Sequence, residues 1–345
     1  MTRSDQIRTP VRWLLFGLFV LAGLTVLGGS GWWLRVTLQQ SASISSAIGA
    51  LTLLAAPALY LSAHVLRAAR LAVIIGNERV GLRAIFHVHF LAAGVGLLLP
   101  FKLGEGYRVA EVARLLRAPI RAVLLVWSER VLDLIALALA ALAGMWYRRS
   151  IFDNLAGGLL VTLAVIAGTF ILFFVVPENI ESLKLFIIRR YNTAWALRVL
   201  RALNAIHSVV AKAPALLSRR LITLITLTLL IWALEVAAIA LILPAAVSLA
   251  DSAMVGVAFF FSRIVPGAQT DLAAIATDVN PGAVNPTAAA AISATYPAIV
   301  YLPLLIVSLA LFAGSLVARW REAVGAAFGI RALGPSAVPA LGDPR

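Results

Sequence analysis

Two groups of charged residues stand out in the stretch between Leu97 and Asp133. The first is Lys102, Glu105 and Arg108, set around a Gly104-Glu105-Gly106 turn that follows Pro100. The second is Glu129, Arg130 and Asp133, within an apolar run that begins after Pro119. A charged side chain at the centre of a membrane helix costs about 3 kcal/mol or more, so several together mark a functional site. A helix start after the turn presents free N–H groups and a positive dipole end. With Lys102 and Arg108 it would hold a phosphate or another headgroup anion. Glu105 would pair with an arginine, an amine or a proton. The alternative is an ordinary capped loop with i,i+3 pairs along Arg108, Glu111 and Arg114. Glu129 and Asp133 are i,i+4 and share a helix face, with Arg130 i,i+3 from Asp133. Such a triad would lock helices together, support the site or carry a proton, and a purely structural ion cluster is equally open. Paired carboxylates also serve glycoside hydrolysis, but nothing in the sequence positions a water or a sugar.

Three further residues join the candidate set. Glu235 lies in mid-span near Trp232, either as a functional carboxyl or protonated and hydrogen-bonded across helices. Arg263 precedes Pro266, and Asp271 follows it; together they would form a counterpart of the first site. His87 and His89, two residues apart, fall on opposite sides of a helix and do not share a metal, while His64 and His207 read as interfacial. Gly94-x-Gly96 is too little for nucleotide binding, and no phosphate-cradling loop with Lys-Ser/Thr is present. No cofactor, no metal and no enzymatic activity are expected.

The elements that must position these residues are membrane helices. Of the 345 residues, 62% are hydrophobic and 13% charged, against about a quarter charged in soluble chains. Several apolar runs reach the roughly 20 residues needed to cross a bilayer, and no alternating strands suggest a barrel. The formal charge is +14. It sits in short loops between apolar runs, as the positive-inside rule describes, so nucleic acid is not an expected partner. No cysteine is present, which removes disulfides, thiolate metal sites and a thiol nucleophile.

Read in order, residues 13–27 form an uncleaved first span, flanked by Trp13 and by Trp32 and Trp33. Residues 47–66 form the second, and Arg67, Arg70, Arg79 and Arg83 place the loop after it in the cytoplasm. Residues 84–101 are too short for an easy crossing, and crossing would put Lys102, Arg108, Arg114, Arg117 and Arg121 outside. A re-entrant hairpin removes that conflict. Spans at 122–147 and 155–176 follow. The loop 177–220 carries eight Lys/Arg, with a basic amphipathic helix on the inner leaflet or a plain linker helix. Residues 221–243 cross again, and 253–265 form a second short hairpin segment. A polar, proline-rich stretch then runs to Pro286, before a last crossing at 287–317. The expected architecture is all-α: one polytopic membrane domain of six spans and two re-entrant hairpins. Residues 1–154 form the first half of an inverted repeat, 155–176 with 221–318 the second, and 319–345 a tail. Both termini would face the cytoplasm from a plasma (inner) membrane. Broken helices that meet near the midplane are how many transporters build a substrate site.

The first half resembles the transmembrane region of the lysylphosphatidylglycerol synthase/flippase family. The residues that carry the resemblance are Leu99-Pro100, Lys102, Gly104-Glu105, Arg108, then Glu129-Arg130 with Asp133, and the Arg-rich end of the second span at Arg67 and Arg70. The second half departs. Pro266-Gly267 is followed by Ala268-Gln269-Thr270-Asp271 instead of a glycine-rich turn and a glutamate, and Tyr296 is followed by Pro297 instead of arginine. The resemblance implies a module that moves lipids or lipid-linked molecules between leaflets, with membrane lipids of anionic headgroup as partners. An accessory subunit in envelope lipid or polysaccharide synthesis, working with a separate transferase, is the alternative. The short segment after the last span has no room for the soluble domain of aminoacyl-transferring members, so lipid aminoacylation is not expected.

Overall fold

The computed structural model describes residues 50–76, 80–98, 103–147, 156–191, 193–210, 220–244, 246–262, 271–280, 282, 284 and 286–327. The expected first span, Lys102, Arg263 and the Pro266-Gly267 turn lie outside them. Every described element is helical, and the chain is an all-α, multi-pass membrane protein.

Helix α1 covers Ala50–Ile75. The sequence reading ended this span at 66 and put Arg67 and Arg70 in a loop. Instead the helix continues, because Leu71-Ala72-Val73-Ile74-Ile75 is again apolar. It stops at Gly76, whose φ of +85° and N–H bond to Ala72 O at 3.0 Å make a left-handed cap. The Arg220 guanidinium donates to Val73 O, placing a cation on the same helix end.

Helices α2 (Leu82–Leu98) and α3 (Leu103–Leu116) pack directly on each other. Gly104 permits this: a Cβ there would lie 2.3 Å from Gly96 Cα. Ala118 N–H bonds Ala113 O at 3.3 Å across Arg117, which has φ +53°, and Pro119 then opens α4 (Pro119–Tyr147). This two-residue turn folds α3 back on α4. Residues nearly equidistant from the turn, Arg108 and Glu129, or Glu105 and Arg130, are thereby brought face to face.

Helix α5 (Ala156–Phe170) passes through a π turn, Ile171–Val175, straight into α6 (Val176–Arg190). Pro177 has no N–H for Phe173 O and its ring clashes there, which the wider π turn accommodates. The first part of the expected loop at 177–220, residues 177–190, is therefore a helical extension of the span. Helix α7 (Ala194–Val210) then turns back and packs on α6 and α4. Helix α8 (Leu221–Ile242) lies along α1, and α9 (Leu249–Ser262) is again short. Within the polar, proline-rich stretch, α10 (Leu272–Val279) forms, capped by Asp271. Helix α11 (Pro286–Tyr296), a second π turn (Pro297–Tyr301) ahead of Pro303, and α12 (Leu302–Ala327) make one broken rod. It runs well past 317 into what was expected to be tail.

Four described stretches are long and apolar enough to cross a bilayer: Leu54–Ile75, Ala156–Val175, Leu221–Ile242 and Ile299–Val317. Helix α4 has the length, 29 residues, but carries Arg121, Glu129, Arg130 and Asp133. At 17 and 14 residues, α2 and α9 fall short of a hydrocarbon core of roughly 30 Å. Packing is reciprocal: α2 lies on α1 and on α12, and α9 lies on α8 and on α4. Ser308 Oγ on α12 lies 2.8 Å from Phe90 O on α2.

Two apolar clusters fill the interior. One holds Leu71, Ile74 and Ile75 with Val88, Val112, Val126 and Leu224. The other holds Tyr60, Phe90, Leu137, Ala138 and Ile239 with most of the buried residues of α9 to α12. Passing from one cluster to the other, α1 crosses Arg70, Arg67 and His64; α4 crosses Glu129, Arg130 and Asp133; and α8 crosses Thr228 and Glu235. A polar belt thus separates the clusters at one level of the bundle. The order of the clusters along each helix also makes α1 antiparallel to α4 and α8.

Candidate functional site

The belt is built from one-face spacings on four helices. Arg67 and Arg70 on α1 are i,i+3, as are Glu105 and Arg108 on α3. On α4, Glu129 and Asp133 are i,i+4, and on α8 Thr228 and Glu235 are i,i+7. Arg70 grips Asp133 with both terminal nitrogens, at 2.7 and 3.0 Å, and donates to Thr228 Oγ1 at 3.0 Å. Its Nε lies 3.7 Å from Glu129 Oε1. Arg108 holds the other oxygen of Glu129 at 2.6 Å. Arg130 reaches Asp133 Oδ2 at 3.3 Å and also pairs with Glu105. Arg67 takes Glu235 in a two-point pair, with Nη2 to Oε2 at 3.0 Å, while its Cζ sits 5.6 Å from the Trp232 ring. Four arginines face four carboxylates, so the belt is formally neutral. At membrane depth that balance is what makes so many charges tolerable.

Exposure grades along the belt. The side chains of Glu129 and Arg70 are 0% and 1% exposed, whereas Arg130 and Glu105 are 38% and 39% exposed. The Glu105–Arg130 pair is therefore the open end of a buried ladder. Around the ladder, buried polar atoms lack a hydrogen-bond partner among the described residues. They include the Nε atoms of Arg67, Arg70, Arg108 and Arg130, with Glu105 Oε2, Glu129 Oε1 and Trp232 Nε1. Groups of this kind at membrane depth belong to protein cavities or wet sites rather than to lipid.

The structure brings together Glu105, Arg108, Glu129, Arg130, Asp133 and Glu235, which the sequence reading treated as three separate features. Glu129 and Asp133 were read as a triad with Arg130; their principal partners are Arg108 and Arg70. Glu235 is not a lone carboxyl, since Arg67 holds it. Gly104 has no side chain to contribute and serves the helix crossing. The i,i+3 series divides: Arg108 points inward, and Glu111 and Arg114 pair at the surface at 2.8 Å. Asp271 stands apart from the belt as the N-cap of α10, its Oδ1 accepting from Ala273 N–H at 3.1 Å and from Ser293 Oγ at 3.0 Å.

Sequence reasoning missed Arg67 and Arg70 as site residues because it counted them as topology-setting loop charges. The available signal was their i,i+3 spacing with apolar residues continuing on both sides. It also missed a histidine pair. His64 is buried rather than interfacial, its Nδ1 3.2 Å from His89 Nε2, with Tyr60 and Phe90 rings around it. Among the described residues, no group of three His, Asp or Glu side chains is arranged to hold a metal ion.

Residues 20–268 match the family described as the lysylphosphatidylglycerol synthase TM region. The match covers most of the chain, and the chain belongs to this family. It contains every residue of the belt, from Arg67 to Glu235, and stops short of Asp271. No curated protein and no solved structure is found to match.

Proposed function

On the strength of this family membership, which ties the chain to lipid synthesis or translocation in membranes, and of the polar belt, we propose that the protein moves a lipid or lipid-linked headgroup between leaflets. The observation that carries the reading is the half-exposed Glu105–Arg130 pair at the end of an otherwise buried ladder. A headgroup phosphate would exchange onto Arg130 and release Glu105, while Arg108 stays with Glu129 and holds the second anchor. Lys102 would draw the anion toward this end. Membrane lipids with anionic headgroups are the natural partners. The reciprocal packing of α2 and α9 supports two inverted halves, each with one short helix that enters from its own side of a plasma membrane and with both termini in the cytoplasm.

The test is translocation of headgroup-labelled lipids in liposomes, comparing wild type with Glu105→Gln and with Glu111→Gln. Anionic, zwitterionic and aminoacylated headgroups are each offered. Glu105→Gln is expected to lose transport while keeping stability within about 1 kcal/mol, because the pair it breaks is partly solvated. Glu111→Gln, which alters only a surface pair, is expected to behave as wild type. The proposal fails if wild type moves no lipid class, or if Glu105→Gln moves lipid as fast as wild type.

A further inference from the structure

A second site lies away from the belt. A cavity of about 210 Å³ opens between α9, the start of α10, α11 and the second π turn, lined by Phe259, Asp271, Ser293, Tyr296 and Tyr301 among others. Among the described residues its only charged lining residue is Asp271, which is exposed, and three of the seven lining residues, Phe259, Tyr296 and Tyr301, are aromatic. The Tyr296 ring meets Phe259 at 5.0 Å and Tyr301 at 5.3 Å between centroids, both edge to face. Both hydrogen bonds that Asp271 accepts go to Oδ1, which leaves Oδ2 unengaged among the described residues. The same carboxylate caps α10, so this helix end is already neutralised and does not invite an anion. A small cavity with one negative charge and aromatic walls matches one ligand class in particular. Aromatic rings attract an alkylammonium within about 6 Å of the ring, and the gain grows as water is excluded.

We propose that this cavity binds an organic ammonium group, with Asp271 as counter-ion and Tyr296, Tyr301 and Phe259 as its aromatic wall. All of these except Phe259 lie beyond the family-matched segment, which ends at residue 268. The site thus lies almost wholly in the last quarter of the chain, beyond the family match. It is also joined to the belt: rings continue from Phe259 to Phe260 at 5.4 Å and on to Trp232 at 5.2 Å, which stacks under Arg67. Lipid headgroups and free small amines share the ammonium chemistry, and the experiment separates them.

The full chain is placed in nanodiscs of phosphatidylglycerol alone, which contain no ammonium lipid. Choline chloride and ethylammonium chloride are titrated at constant ionic strength by saturation-transfer NMR, with empty discs subtracted. The uncharged isostere of choline, 3,3-dimethylbutan-1-ol, is run alongside. Wild type should bind choline at least about tenfold more tightly than the isostere. Asp271→Asn, which keeps the helix cap, should weaken binding by about tenfold, and Tyr301→Leu by about fivefold, while Tyr301→Phe stays within about twofold. Adding phosphatidylcholine to the discs assigns the source. If free choline then binds more weakly to wild type, the occupant is a lipid headgroup; if not, it is a free amine. Equal binding of the isostere, insensitivity to both Asp271→Asn and Tyr301→Leu, or no binding of either cation overturns the proposal. Because binding is read without transport, that failure would leave the proposed lipid movement standing.

Discussion

Arg70 is the most consequential side chain in the belt, and its removal has a calculable signature. Its guanidinium is 1% exposed, holds Asp133 at 2.7 and 3.0 Å and Thr228 at 3.0 Å, and lies 3.7 Å from Glu129. Arg70→Met takes one of four positive charges out of a neutral, buried belt. Asp133 is left with Arg130 at 3.3 Å, a partner it shares with Glu105, and the i,i+4 carboxylates on α4 now repel. Removing one member of a buried pair typically costs about 3–5 kcal/mol, chiefly because the other charge is stranded. Arg70→Met with Asp133→Leu restores neutrality, three against three, and leaves Arg67–Glu235, Arg108–Glu129 and Arg130–Glu105 intact. The double variant should therefore recover most of the loss and sit within about 2 kcal/mol of wild type; with Asp133→Leu alone also costing about 3–5 kcal/mol, the coupling energy is at least about 4 kcal/mol. The assay is thermal unfolding of the purified chain in detergent micelles, followed by size-exclusion chromatography. The single variant should melt on the order of 10 °C lower. If the double variant is as destabilised as the sum of the two singles, the charges are not stabilising one another and the ladder is misread.

Two further outcomes follow from other contacts. Gly104→Ala should destabilise by about 1–3 kcal/mol, since its Cβ would meet only backbone, at 2.3 Å from Gly96 Cα, 2.6 Å from Gly96 N and 3.2 Å from Ala92 O. Gly96→Ala, whose Cβ would find its nearest neighbour at 3.8 Å, should melt at or above the wild-type temperature, and equal losses in the two variants would refute the close crossing. The inverted arrangement is checked on single cysteines introduced at Leu103 and Gln269 in this cysteine-free chain. Membrane-impermeant labelling should reach them from opposite sides, and labelling of both from one side would end that reading.

Composition and hydropathy alone determined that the chain is helical and spans a membrane, because bilayer thickness imposes a length and a polarity that any sequence must show. They also marked 84–101 as marginal and 253–265 as too short for a crossing, and α2 and α9 are correspondingly short. Intramembrane charge singled out Glu105, Arg108, Glu129, Arg130, Asp133 and Glu235, since an acid or arginine in an apolar run is costly wherever it ends up. The partners were not legible. Arg67 and Arg70 look like loop charges until α1 is seen to continue to Gly76, and Glu235 looks solitary until α8 lies against α1. Which charges neutralise which depends on contacts between residues up to 168 positions apart, set by helix packing rather than by local spacing. The aromatic cavity behind Asp271 was equally hidden: its wall comes from three helices and a π turn, and nothing short of the tertiary fold brings Phe259, Tyr296 and Tyr301 to one carboxylate.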